Sequence, residues 1–428
     1  MKKKAYKAMQ YFEKEFFTLS NSNQESQSLK QLRKKEFNRF KKIGLPKKHW
    51  EAWRFTSFNE LVKNSFRLSS TDDLPLDKNM VTDGLSIPTL VFLNGNYQST
   101  MPTEQEGLTI NPFLENYNNK ENLLINDLES DPNPFIILNT AMMNNGLHLH
   151  FSKDFPKDSI IRFLYLTTEL SEPIMNHPRL IIDLDDNIEA TIIEEYQGNY
   201  SEPYFNNALT MFRCGKNSSV EHVRIQHEGM SASHLSSTYY NALQDCSIRA
   251  SYISKGSILH RHDVKAILSG KGADITLNGL CLADNHQHMD HNIIMDHASE
   301  HVTSRMLFKY ILTDKSSGVF NGRAIVRENS QKIDANQTNN NLLLSNTALM
   351  NSNPQLEIYA DDVRCTHGST TGQLNEEALF YLKSRGLDDF VAQALLINGF
   401  AGEVLNEIKN DKVRKYSQDL LEKWLEKI

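Results

Sequence analysis

The 428-residue sequence is sparing with the features that most quickly fix a protein's chemistry. It has four cysteines, Cys214, Cys246, Cys281 and Cys365, far apart and without a C-x-x-C. That excludes a zinc knuckle and a disulfide frame, and predicts free thiols in a reducing compartment. No run of about 18 apolar residues occurs, so no membrane span is expected. The N-terminus has no apolar signal core, and the expected location is the cytoplasm. There is no G-x-x-x-x-G-K-[ST], so any dependence on ATP must come through a partner, and there is no G-x-S-x-G elbow. Positive charge is also short: 46 Lys and Arg against 53 Asp and Glu give a net charge of −7. A general nucleic-acid binder would need a basic face, so nucleic acid is not an expected partner. The first fifty residues are locally basic (Lys2-Lys3-Lys4, Arg33-Lys34-Lys35, Lys47-Lys48). Glu13, Glu15, Glu25 and Glu36 are interspersed there, the pattern of a solvated helical face.

What is present is periodicity. A mean hydropathy of −0.50 with 39% hydrophobic residues describes a soluble chain with a sizeable core, long enough for two or three domains. Residues 1–65 read as an N-terminal helical region, in which Tyr11, Phe12, Phe16, Phe17, Leu29, Leu32 and Phe37 keep helical spacing. It closes on GLPKKHWEAWRFTSF, where Gly44 and Pro46 break a helix and Trp50, Trp53 and Phe55 supply an aromatic knot. Residues 66–157 are mixed and rich in Asn, Asp and Pro, with a short strand at Thr89–Leu93 and a short helix near 139–144. From 158 to 365 the period is 2 nearly throughout, with turn signals at Asn217-Ser218, Lys255-Gly256, Gly270-Lys271-Gly272 and Asp284-Asn285. A sandwich, a large barrel and a parallel β-helix all fit. Uneven strand lengths, and an Asn cluster beside a Leu run in NQTNNNLLLSN, favour the β-helix, with the Asn cluster at a turn and Leu342, Leu343 and Leu344 in its core or at its ends. Residues 366–428 read as a C-terminal helical region.

Two constellations carry chemistry. His286, His288, Asp290 and His291 spell H-x-H-x-D-H, the ligand order of a metal-dependent hydrolase, yet strands surround the motif where such a fold needs αβ alternation. The second is PQLEIYADDVRCTHGSTTGQLNEEALFYLKSRG, residues 354–386. A strand carrying Leu356 and Ile358 leads to Cys365 and His367. Asn375 then N-caps a helix whose first turn holds Glu376 and Glu377, and Gly386 stops it. Gly368 and the small residues after it predict that the chain is already turning there, which ranks His367 ahead of Cys365 as a metal ligand.

That stretch resembles the signature of the SufB/SufD family, scaffold subunits of the Suf iron–sulfur cluster assembly machinery. FNGRAIVRENSQKIDANQTNNNLLLSNTALMNSNPQLEIYADDV and HMDHNIIMDHASEHVTSRMLFKYIL are similar to the same family, and GLPKKHWEAWRFTSF resembles an N-terminal element of its SufD-type members. The text after His367, G-S-T-T-G-Q-L, is also of the SufD type. The resemblance implies a mainly β chain, with a right-handed parallel β-helix core flanked by N- and C-terminal α-helical regions. It implies a non-enzymatic scaffold that works with a SufB-like subunit and the SufC ATPase. It also implies that His367 faces the SufB-like subunit where a transient iron–sulfur cluster, shared between the two, forms; no cofactor is expected to be tightly bound by the isolated chain. Whether the isolated chain is a homodimer stays open. The amphipathic helices that follow the site, with Leu379, Phe380, Leu382, Arg385 and Phe390, are the expected docking surface for the ATPase.

Overall fold

The computed structural model describes residues 2–21, 25–70, 87–98, 104–112, 128, 131–168, 172–198 and 202–428. Parts of the mixed 66–157 segment therefore lie outside the described residues, as do the side chains of Lys2-Lys3-Lys4. The body is a parallel β-solenoid with two strands per turn. Each strand pairs in parallel with the strand two further on, so alternate strands build two separate sheets of twelve and ten strands. Glu189 pairs with Ser219 and Ser219 with Ser247, a step of 30 and then 28 residues per turn. From Glu189 to Gly372 every strand spans ten residues, except Ile333–Leu343 with eleven.

Period 2 gives each strand an inner and an outer face, and in the middle of the solenoid, as in Phe205–Cys214 and Ser233–Ala242, both are buried, as is usual in parallel sheets. The inner face stacks apolar rungs such as Ala190, Val220, Ile248 and Ile275. Turns are held by residues with positive φ, among them Asn187, Asn217, Asp245 and Asn285. Successive turns are stitched by side chains: the Asn217 amide donates to Asn187 Oδ1 at 2.8 Å.

The helices cover the outer faces. Near the N-terminus are α1 (Lys2–Ser20), α2 (Gln27–Ile43), α3 (Asn59–Lys63) and α4 (Pro134–Met142). Ser26 caps α2, and Asn133 followed by Pro134 starts α4, a few residues before the helix expected near 139–144. Phe12, Phe16, Phe37, Trp53 and Phe135 pack on Phe205, Leu235 and Leu259 of the larger sheet. Arg33, read as part of a solvated face, is 1% exposed and donates to the carbonyls of Ala141 and Met143. After the solenoid come α5 (Glu376–Ser384), α6 (Asp389–Leu405) and α7 (Asp411–Leu425). Ile397, Val404, Leu405, Leu421 and Trp424 from α6 and α7 pack on Ile225, Ile253, Leu280 and Leu342 of the smaller sheet.

Three expectations change. The solenoid begins inside the mixed segment: Thr89–Leu93 and Asn145–Phe151 run parallel to Ile160–Thr167 and Pro178–Leu184 as its first rungs. It also runs past residue 365, because Val363–Gly372 is a full strand paired with Ile333–Leu343. And the Asn cluster lies within a strand. Asn339 donates to the Phe308 carbonyl at 3.1 Å, and Asn339 and Asn341 bond one another at 2.8 and 3.0 Å. Two inward amides that satisfy each other bear burial well, so a turn is not needed to solvate them.

Candidate functional site

Both sheets end at the same end of the solenoid, on Leu349–Ile358 and Val363–Gly372. Among the described residues each of these strands is paired on one side only. Side-chain rungs hold Val363–Gly372 to its neighbour: Asn336 donates to Thr366 at 2.7 Å, Thr370 to Asn340 at 2.9 Å, and Asn341 to Thr371 at 3.1 Å. The small polar residues read as a turn therefore form a strand, because Ser369, Thr370 and Thr371 each meet an Asn across the rung.

The strand extends past Gly368, so the turn expected there, on which the ranking of the two candidate ligands rested, does not form. Val363, Cys365, His367, Ser369 and Thr371 share one face, the face that continues Ile333, Ala335, Gln337, Asn339 and Asn341 of the strand below. Cys365 and His367 thus point the same way, two residues apart, over the open end of the interior. Cys365 is half-buried against the core and His367 is exposed. Across the opening, Ser352 of the other terminal strand donates to Asn339 at 2.7 Å and receives a bond from Ser369 at 2.8 Å. Burial pushes the Cys365 thiol above its usual value, and Asp334 adds to the effect. A cation bound there would have to displace that proton. A thiol and an imidazole side by side are soft and borderline ligands, the pair that suits iron, with coordination positions left open towards solvent.

The histidine-rich motif does something else. On His288–His297, His288 and Asp290 face outward and His291 inward, so alternation divides the four residues; His286 sits exposed in the preceding turn. Inside, the Tyr310 hydroxyl donates to the Val319 carbonyl at 2.7 Å, so His291 Nδ1–H donates to Tyr310 at 2.8 Å. Burial, with Arg224 and Arg261 nearby, holds the His291 pKa down at about 3 and the ring neutral. Outside, Asp290 accepts from Thr56 and from Arg261, and His288 Nε2 lies 3.1 Å from the Thr56 hydroxyl. Arg261 also makes a fork to Asp263 (2.7 and 3.1 Å) and lies 3.5 Å from the centre of the Trp53 ring. The motif is thus half of a clamp on the N-terminal Trp53–Thr56 element, and its residues do not converge on a metal. Sequence reasoning missed Arg261, which no local signal marks.

Among the proposed docking residues, Phe380 is 75% and Phe390 54% exposed; Leu379 and Leu382 are half-buried, and Arg385 lies against the Tyr381 ring at 5.3 Å. Helix α5 has no buried residue at all. Among the described residues, no helix is long and apolar enough to cross a membrane.

Comparison with known proteins bears on this arrangement. Residues 165–400 match the family described as "SUF system FeS cluster assembly, SufBD core domain", and residues 3–163 match the SufBD protein N-terminal region. The chain is 30% identical over 382 residues to an iron–sulfur cluster assembly SufBD family protein of Synechocystis, covering 86% of this chain and 84% of that one. It is 26% identical over 376 residues to the iron–sulfur cluster assembly protein SufD of Escherichia coli, covering 87% and 88%. It is also 31% identical over 251 residues to the chloroplastic protein ABCI7 of Arabidopsis thaliana, covering 58% and 52%.

Proposed function

This chain belongs to the SufBD family of iron–sulfur cluster assembly proteins, and from that premise we propose that it is a cytoplasmic, non-enzymatic scaffold subunit of the SufD type. The observation that carries the reading is the shared orientation of Cys365 and His367 on an exposed terminal strand. A solenoid end with two half-paired strands is an invitation to strand pairing, which natural proteins cover or blunt. A SufB-like subunit covering this end would bring its own thiolates opposite Cys365 and His367. Iron and sulfide, the cargo, would then be held transiently between the chains by ligands from both.

Exposed aromatic side chains on α5 and α6 support docking of the SufC ATPase on this side, since contiguous apolar exposure on a soluble chain marks a partner surface. Nucleotide-driven movement of the ATPase would reach the terminal strand through the short 373–375 link to α5.

Co-expression with the SufB-like and SufC subunits tests this. His367→Ala should leave folding and complex formation intact and sharply lower cluster yield, followed by visible absorbance and iron content; Cys365→Ser should lower it by a smaller or equal factor. Phe380→Asp with Phe390→Asp should release the ATPase while the SufB-like subunit stays bound. Normal yield from both His367→Ala and Cys365→Ser would remove the basis of the assignment.

A further inference from the structure

Two of the four free cysteines meet inside the solenoid, several turns away from Cys365. Cys214 ends the strand Phe205–Cys214, and Cys246 stands immediately before Ser247–Gly256. The two belong to consecutive turns. The Leu243 amide donates to the Cys214 carbonyl at 3.3 Å, and the Cys246 amide to the Leu243 carbonyl at 3.2 Å. Two short backbone steps therefore join the residues. Both side chains enter the same core, where the thiols are hydrogen-bonded to one another.

That bond is unequal. It raises the pKa of Cys214 well above its ordinary value, with burial adding to the effect, and it lowers that of Cys246. Cys214 is therefore the donor, and Cys246 is the sulfur on which a thiolate forms. The Ser218 hydroxyl lies 3.4 Å from Cys246 Sγ and otherwise bonds the Gly215 carbonyl at 2.7 Å, so by turning it offers the thiolate a second donor. Both sulfurs are buried, yet Cys246 lies directly under the surface, because Asp245 and Ser247 on either side of it are exposed. Asp245 is a turn residue with φ of 53°. Opening of this one turn admits a small neutral molecule to Cys246. Cys281 supplies the contrast: it is equally buried, and its thiol is raised by burial alone.

We propose that Cys214 and Cys246 are a peroxide-responsive thiol pair that closes reversibly to a disulfide, tying two consecutive turns of the solenoid together. The Cys246 thiolate attacks one oxygen of hydrogen peroxide and the O–O bond breaks. Cys246 becomes a sulfenic acid, and the departing hydroxide takes up the proton that Cys246 had released, leaving as water. The Cys214 sulfur then attacks Cys246 Sγ. The S–S bond forms, the S–O bond breaks, and the sulfenic hydroxyl leaves as water with the Cys214 proton. Two electrons pass from the thiol pair to one peroxide, and a dithiol reductant returns them by exchange. The pair shares no residue with the Cys365–His367 site and does not depend on the cluster chemistry proposed above.

The test treats the isolated full-length chain with hydrogen peroxide, alkylates the remaining thiols in urea, and maps the tryptic peptides by mass. The peptides carrying Cys214 and Cys246 should appear joined, two hydrogens lighter than their sum, and separate again after dithiothreitol. Cys281 should be oxidised at least about tenfold more slowly, since it lacks the thiolate character of Cys246. The oxidised chain should melt at a higher temperature than the reduced one, because the cross-link restricts the unfolded chain, and dithiothreitol should abolish the difference. Cys214→Ser should stop the reaction at the sulfenic acid, so that dimedone labels Cys246. Cys246→Ser should leave Cys214 unlabelled, which tests the direction of the bond between them. Cys214→Ala and Cys246→Ala should give the same two labelling results if the serine variants fold poorly. Failure of the joined peptide to appear, or its appearance no faster than oxidation of Cys281, overturns the proposal.

Discussion

Replacing Arg261 should cost the protein more than replacing either of its acidic partners. Arg261 is 1% exposed and Asp290 fully buried, and Asp263 is largely so. Arg261→Ala leaves two neighbouring carboxylates without their cation, removes a hydrogen bond to the Ala52 carbonyl (2.8 Å), and empties the face of Trp53. Breaking one side of a buried ion pair costs about 3–5 kcal/mol, and this change breaks two pairs at once, so the upper end of that range is expected. Asp290→Ala leaves Arg261 still forked to Asp263 and stacked on Trp53, so a loss nearer 3 kcal/mol follows, part of it from the orphaned Thr56 hydroxyl. Thr56→Val should cost about 1 kcal/mol and couple strongly to Asp290→Ala, since the two share one bond. Urea unfolding of the purified variants, followed by tryptophan fluorescence, gives the ranking. The order Arg261, Asp290, Thr56 is the content of the prediction. If Arg261→Ala and Asp290→Ala both fell within about 1 kcal/mol of the parent, the clamp would not be what holds Trp53–Thr56 to the sheet.

Acid should weaken the fold early. His177 and His291 are buried with pKa values held down at about 3, chiefly by burial, from the ordinary 6.5. Between pH 6.5 and about 3 the unfolded chain takes up protons that the folded chain refuses, so stability falls as pH falls, by roughly 3 kcal/mol per unit for the two together; urea midpoints that stay constant from pH 7 to 5 would contradict this. Lys309, 2% exposed, donates to the Phe400 carbonyl at 3.0 Å and pairs with Glu403 at 2.6 Å. Lys309→Ala should raise hydrogen exchange across α6 while the solenoid strands keep their protection, a local loss of about 2–3 kcal/mol. Asn339→Leu removes the acceptor shared by Asn341, Ser352 and Ser369 and should fray Val363–Gly372 selectively by about 2 kcal/mol, seen again by exchange; uniform protection would show that the amide rung is dispensable.

The readable parts of this chain are those set by local rules. Period 2 along Ser247–Gly256 or Asp274–Ala283 announces strands, and Asn375 followed by Glu376 and Glu377 announces α5, whose cap bond to the Ala378 amide is 2.9 Å. The capacity of one strand to stabilise another, 30 residues away in the case of Asn339 and Ser369, is not local. Ser369, Thr370 and Thr371 read as a turn when taken alone, and become a strand because Asn339, Asn340 and Asn341 lie beneath them. The same holds for Arg261, which meets Trp53 only once the sheet has brought together residues about two hundred positions apart. Yet the decisive fact about the site was recoverable from spacing. Had alternation been carried through Gly368, a glycine with open space around it and no positive φ, Cys365 and His367 would have fallen on one face together with Ser369. By the same rule H-x-H-x-D-H falls apart on a strand, since the last histidine sits at odd spacing from the other three residues. A single period applied to both motifs therefore separates the histidines of the loud one and joins the thiol and imidazole of the quiet one.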